Sequence, residues 1–257
     1  MNAPVQLSCS ADQTRAAFRI FHPTGNIVTA AMIAALSQAL ESLAQQSHLK
    51  LLTIEGAGAD FSFGASIPEH APGTIERVLP EAHALIHALL DFPAPTAALV
   101  RGRCLGGGFE IALACDFIFA EASSTMGLPE IALGVFPPAA CALLPSRVGT
   151  ARATQAILTG HSRPASAWRE TGLLEAVVTD GTLASEVDRW FDAHLRAKSA
   201  AALRHATAAA RLSLREHVRA VLPELERLYL NDLMRTEDAA EGVAAFLQKR
   251  APRWTDC

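Results

Sequence analysis

Apolar and polar residues change their spacing repeatedly along the chain, and each spacing predicts an element. Over residues 6–22 they alternate loosely, with a break at Ala11-Asp12-Gln13, which predicts a hairpin. Over residues 29–45 Met32, Ala35, Leu36, Ala39, Leu40 and Leu43 fall on one helical stripe, with Thr29 placed to cap it. Residues 49–55 form a short apolar run ending at Gly56, which predicts a buried strand. A loop rich in Gly, Ala, Ser and Pro covers 56–73, and helical spacing resumes over 74–90. Pro93 and Pro95 then punctuate entry into a second apolar run, 95–100.

That run leads to Gly106-Gly107-Gly108 and an apolar, helix-like segment carrying Glu110 near its start. A strand is predicted at 117–120 and a loop holding Glu130 at 123–134. Helices follow at 151–158, 164–171 and 183–198, with one more strand at 174–178. Beyond residue 200 no strand pattern remains, and 200–212, 213–229 and 232–249 read as helices. The expectation is an α/β core, 1–198, followed by a helical region, 199–257. Helices that fold back on the core fit the same pattern.

Composition narrows the class. At 257 residues the chain can bury a sizeable core, and half of it is hydrophobic. No run approaches the roughly 18 apolar residues of a membrane span. The first residues lack a basic patch followed by an apolar stretch, so the expected location is the cytoplasm. A net charge of −4 with interspersed signs argues against nucleic acid as a partner. The five cysteines show no C-x-x-C spacing and read as free thiols, with neither disulfides nor a metal implied.

Candidate chemistry centres on the glycines. Glycine lets a backbone approach a ligand closely, and a helix start offers free N–H groups and positive potential. Glu110 stands within a turn of those amides. Two readings remain open here: a tight turn with close packing, or a site for developing negative charge. Nucleotide motifs fail on spacing. Phe109 and Glu110 stand where a P-loop needs Lys and Ser or Thr, and Ile111 stands where a dinucleotide fingerprint needs glycine. A second carboxylate, Glu130, follows Pro129, far enough along the chain to face the first. Two carboxylates in different environments can divide acid and base work, although each also reads as a helix cap. The stretch Gly64-Ala65-Ser66-Ile67-Pro68 lacks the last glycine of a serine-hydrolase elbow, and His83 and His87 lack the Glu of H-E-x-x-H.

Several segments together resemble the enoyl-CoA hydratase/isomerase (crotonase) superfamily. They are Phe61-Ser62-Phe63-Gly64-Ala65-Ser66-Ile67, residues 102–116, and Gly127-Leu128-Pro129-Glu130-Ile131-Ala132-Leu133-Gly134. Residues 172–178 and 241–254 continue the likeness in order, so it runs through nearly the whole chain. The resemblance implies a spiral of ββα repeats with a C-terminal helical region used in oligomerisation, giving a homotrimer or a dimer of trimers. It implies an acyl-CoA substrate, with no cofactor beyond the coenzyme A that the substrate carries. The implied oxyanion hole falls on the backbone N–H groups of Ala65 and Gly107, and the implied catalytic carboxylates on Glu110 and Glu130. Phe63 and Lys249 are the implied contacts to coenzyme A.

One departure narrows the implied substrate. Hydratases of simple 2-enoyl-CoA usually carry a glycine-rich run after the second Glu, one of whose amides holds the catalytic water. This chain has Pro137-Pro138-Ala139-Ala140-Cys141, and a proline has no N–H to offer. That run, with residues 61–70, resembles the branch that hydrates cyclohexa-1,5-diene-1-carbonyl-CoA to 6-hydroxycyclohex-1-ene-1-carbonyl-CoA in anaerobic benzoyl-CoA degradation. Ser66, Ile67, Phe136 and Pro138 are then the expected pocket for a ring. An ordinary 2-enoyl-CoA hydratase, an enoyl-CoA isomerase, and a non-catalytic binder of CoA esters remain the alternatives.

Overall fold

The computed structural model describes residues 3–257. Two antiparallel strands, β1 (Val5–Cys9) and β2 (Arg15–Ile20), form the expected hairpin, in whose turn Asp12 accepts from the Ser10 hydroxyl and the Thr14 N–H. Thr29 caps α1 (Ala30–Ala44) by accepting from the Met32 N–H. The buried stripe of α1 is Met32, Ile33, Leu36, Leu40 and Leu43; Ala35 and Ala39 lie at its half-buried margin. Strand β3 (Leu51–Gly56), helix α2 (Ile75–Asp91) and strand β4 (Thr96–Val100) follow.

The next elements repeat a pattern. Strands β5 (Arg103–Leu105), β6 (Phe117–Glu121) and β7 (Thr125–Gly127) surround α3 (Gly106–Ala114). After β7 come a 3-10 turn, Pro129–Leu133, then α4 (Pro138–Val148) and α5 (Thr150–Thr159). Strands β2, β3, β4, β6 and β9 (Ala176–Val178) run parallel in a six-stranded sheet of order β1-β2-β3-β4-β6-β9. Strands β5 and β7 pair with each other and with β8 (Arg163–Pro164) in a second, three-stranded sheet. Each turn of the spiral thus lays one strand in the large sheet and the next in the small one, then returns through a helix. An isolated bridge between Ser62 and Cys104 continues the small sheet toward the loop after β3.

Helix α6 (Ala165–Arg169) delivers Trp168 to the interior, where its ring meets Phe109 of α3 edge to face at 5.2 Å. Helix α7 (Leu183–His194) covers the other face of the large sheet through Leu183, Val187 and Phe191. Helices α8 (Ala200–Ala210) and α9 (Leu212–Arg227) come next, with Val218 and Leu222 of α9 joining the main core. Arg211, between them, is buried; it donates to Asp116 and to the carbonyls of Leu89, Leu90, Phe92 and Ala94. A π turn, Leu228–Asp232, and a 3-10 turn, Leu233–Arg235, lead to α10 (Glu237–Leu247).

Three expectations change. The glycines form the first turn of α3 rather than a loop before it. The loop expected at 123–134 contains β7 and the 3-10 turn that carries Glu130. The last helix starts at Glu237, after the Thr236 cap, and not at 232. Helix α4 left no periodic trace because Pro138, Ala139, Ala140, Ala142, Leu143 and Leu144 are all buried, so no polar face marks it. Among the described residues, no helix is long and apolar enough to cross a membrane.

Candidate active site

The first layer of the site is backbone. The bridge between Ser62 and Cys104 and a second one between Val28 and Ala65 hold the 62–66 loop beside the start of α3. The Ser62 hydroxyl donates to the Asn26 carbonyl and accepts from the Gly64 N–H, which shapes the turn before Ala65. The Ala65 nitrogen and Cβ each lie 3.4 Å from the point where a Cβ on Gly107 would stand, so the two residues are close neighbours. Gly107 is the second residue of α3, where the N–H has no intrahelical partner. Ala65 takes part in its bridge through its neighbours, Gly64 O and Ser66 N, which leaves its own N–H free. Gly106 adopts φ +48°, and a Cβ there would stand 2.4 Å from Glu130 Oε1. Only glycine allows that approach.

Two carboxylates form the second layer. Glu110 lies one turn into α3 and accepts a 2.9 Å hydrogen bond from the Ala140 N–H. Pro138 is the first residue of α4, a position where the missing N–H costs nothing. The amides that follow it are aimed at Glu110, so the positive end of α4 faces that carboxylate. Burial pushes the Glu110 pKa up to about 7 against the pull of the Ala140 and Ala139 amides. Glu130 is pushed up to about 8, by burial first and then by the charge of Glu110; its Oε2 has no hydrogen-bond partner among the described residues. Such neighbours titrate as a pair, and carboxylates lifted toward neutral pH can divide acid and base work. Cys141 lies close enough to both for their charges to add to the burial that raises its thiol to about 12.

These groups open on a cavity of about 890 Å³. Of the sequence-derived site residues, Phe63, Ala65, Ser66, Ile67, Gly107, Glu110, Glu130, Phe136 and Pro138 all line it. Lys249 does not; it is exposed beyond the end of α10, and its neighbour Arg250 reaches the lining instead, paired there with Glu241. The chain turns at Lys249, which adopts φ +54°. At the mouth, the Arg103 guanidinium stands 5.1 Å over the Phe63 ring. Arg103 and Tyr229 also line the cavity, and neither carried a motif in the sequence that could have marked it. His70 bonds the Ser66 carbonyl and His83 bonds Glu226 at 2.6 Å, so the histidines serve separate contacts. No cluster suited to a metal occurs among the described residues.

Comparison with known proteins bears on the family and the fold. The model of the family described as enoyl-CoA hydratase/isomerase matches residues 13–257. A cyclohexa-1,5-dienecarbonyl-CoA hydratase of Thauera aromatica is 40% identical over 253 residues, covering 98% of this chain and 97% of that protein. A probable enoyl-CoA hydratase of Bacillus subtilis is 31% identical and covers 99% of both. The crystal structure of an enoyl-CoA hydratase from Mycobacterium avium subsp. paratuberculosis superposes with a TM-score of 0.87 at 30% identity, again over 99% of both chains.

Proposed function

This chain belongs to the enoyl-CoA hydratase/isomerase family, and from that premise we propose that it hydrates a cyclic dienoyl-CoA, cyclohexa-1,5-diene-1-carbonyl-CoA. It is a hydro-lyase of the crotonase fold. The observation that carries the reading is the pair of half-buried carboxylates, both held well above the usual carboxylate range, set beside two free amides at one wall of an apolar cavity.

The thioester oxygen binds between the N–H groups of Ala65 and Gly107. One carboxylate of the Glu110–Glu130 pair removes a proton from water as its oxygen bonds to C2 of the ring. Electrons pass through C1 to the thioester oxygen, where preorganised donors stabilise charge that exists only in the transition state and the enolate; each is typically worth about 3 kcal/mol. The protonated partner then delivers its proton to C5, and the double bond settles between C1 and C6. Renumbered, the product is 6-hydroxycyclohex-1-ene-1-carbonyl-CoA. The pair ends with one proton, as it began, now on the other carboxylate.

Ile67, Phe136 and Pro138 suit a ring by their apolar surfaces. Phe63 with Arg103 at the mouth suits the adenine and phosphates of coenzyme A better than Lys249 does. No cofactor beyond the substrate's own coenzyme A is needed, and the working place is the cytoplasm. Assembly as a homotrimer or a dimer of trimers would cover Leu212, Phe246 and Leu247, each more than half exposed in the single chain; light scattering measures the stoichiometry.

The test is to offer the purified protein crotonyl-CoA and cyclohexa-1,5-diene-1-carbonyl-CoA and to follow hydration by chromatography and mass. Rapid conversion of the diene with little of crotonyl-CoA is expected. Preference for crotonyl-CoA would restore an ordinary 2-enoyl-CoA hydratase, and binding without conversion of either would leave a scaffold.

A further inference from the structure

Tyr229 is the chain's one tyrosine. It lies in the π turn at the end of α9, 2% exposed, and its ring meets Phe136 edge to face at 5.3 Å. Ile75, Val135 and Ala239 complete a small apolar cluster around it. The cluster seats the ring on residues 133–136, the stretch that joins the Glu130 turn to the start of α4, whose Ala140 N–H holds Glu110. Tyr229 is therefore wedged against the connection between the elements that carry and steady the two carboxylates.

Its hydroxyl has no hydrogen-bond partner among the described residues and is not sealed off from the cavity that the side chain lines. A buried phenol ordinarily finds a partner, so this one is free to hold something that enters the cavity. Burial and then the charges of Glu110 and Glu130 hold its pKa above the usual phenol value, so it stays protonated and remains a donor at neutral pH.

A water placed between the carboxylates directs its protons at them, and its oxygen needs one donor to fix the lone pair that attacks carbon. The start of α4 does not supply one, since Pro138 has no N–H and the Ala139 and Ala140 amides both turn to Glu110. We infer that the Tyr229 hydroxyl positions the attacking water against the Glu110–Glu130 pair by donating a hydrogen bond to its oxygen. The inference rests on the hydratase reading above.

The test is Tyr229→Phe, which keeps the ring on Phe136 and removes only the hydroxyl. Two reactions are compared. Hydration of cyclohexa-1,5-diene-1-carbonyl-CoA needs the water. Exchange of the C3 hydrogen of cyclohex-1-ene-1-carbonyl-CoA in D2O, followed by mass, needs the carboxylates and the two amides but no attacking water. The expected result is a fall of about tenfold or more in kcat for hydration, with KM and the exchange rate within about twofold of wild type. Parallel loss of both reactions would assign Tyr229 to packing and overturn the inference, as would unchanged hydration. Wild-type enzyme that hydrates neither dienoyl-CoA nor crotonyl-CoA would remove the hydratase reading itself; hydration that survives Tyr229→Phe would remove only the role of Tyr229.

Discussion

At the scale of single residues, the proposed chemistry rests on how far Glu110 and Glu130 are shielded from water. A carboxylate in water titrates near pH 4, where it is a poor proton donor at neutral pH. Here exclusion from solvent lifts Glu110 to about 7 and Glu130 to about 8, and the charge of Glu110 adds to the lift on its neighbour. Glu110→Gln and Glu130→Gln should each lower hydration by about 10²–10⁴-fold, measured as kcat on the diene thioester. Stability should move the opposite way. Both folded-state pKa values lie above those of an unfolded chain, so the folded state binds the extra protons. The stability linked to them is fully present below about pH 4.5 and is lost as the pH rises through 7 to 8. Either Gln variant, having no charge to bury, should therefore match wild type near pH 4.5 and exceed it at pH 8. The gap should be on the order of 2 kcal/mol, read from denaturation curves across that range.

At the scale of elements, the site depends on how closely the start of α3 approaches its neighbours. Gly106 and Gly107 are adjacent in sequence and predict different failures. In Gly106→Ala the methyl group would meet Glu130 Oε1 at 2.4 Å, at a φ of +48° that side chains rarely adopt. That variant should lose about 1–3 kcal/mol of stability as well as activity. In Gly107→Ala the methyl would stand 3.4 Å from Ala65 Cβ and N, an ordinary contact, but directly before the free Ala65 amide. It should fold normally, with an unchanged thermal midpoint, and lose about 10²-fold or more in kcat as the thioester oxygen is shut out. The triple glycine and its carboxylate were legible in the sequence because they occupy one short stretch. Helix α4 was not, since most of its residues are buried and only Ser146 and Arg147 near its end are polar, yet its amide is what holds Glu110.

At the scale of the whole molecule, the helices after Ser199 are tied to the sheet by one buried cation. Arg211 pairs with Asp116 and donates to four carbonyls around the end of α2 and the entry to β4. Removing it leaves Asp116 without its partner and those carbonyls unsatisfied. Arg211→Met should cost about 3–5 kcal/mol in urea unfolding. Where the variant still folds, activity should fall along with stability, because α9 leads into the turn that seats Tyr229 over the cavity.

The sequence by itself determined the hairpin, the capped α1, the apolar strands, the family motifs and the identity of the residues that those motifs mark. Each is a pattern within a few residues, which spacing and side-chain chemistry make readable. Only the tertiary structure decided that Glu110 leans on α4, that the histidines do not converge, that Arg250 and not Lys249 reaches the cavity, and that Tyr229 comes from a distant helix to complete its wall. Those facts depend on which faces pack together and on how far water is excluded. A chain encodes such outcomes only through all of its contacts at once, and no local pattern marks them.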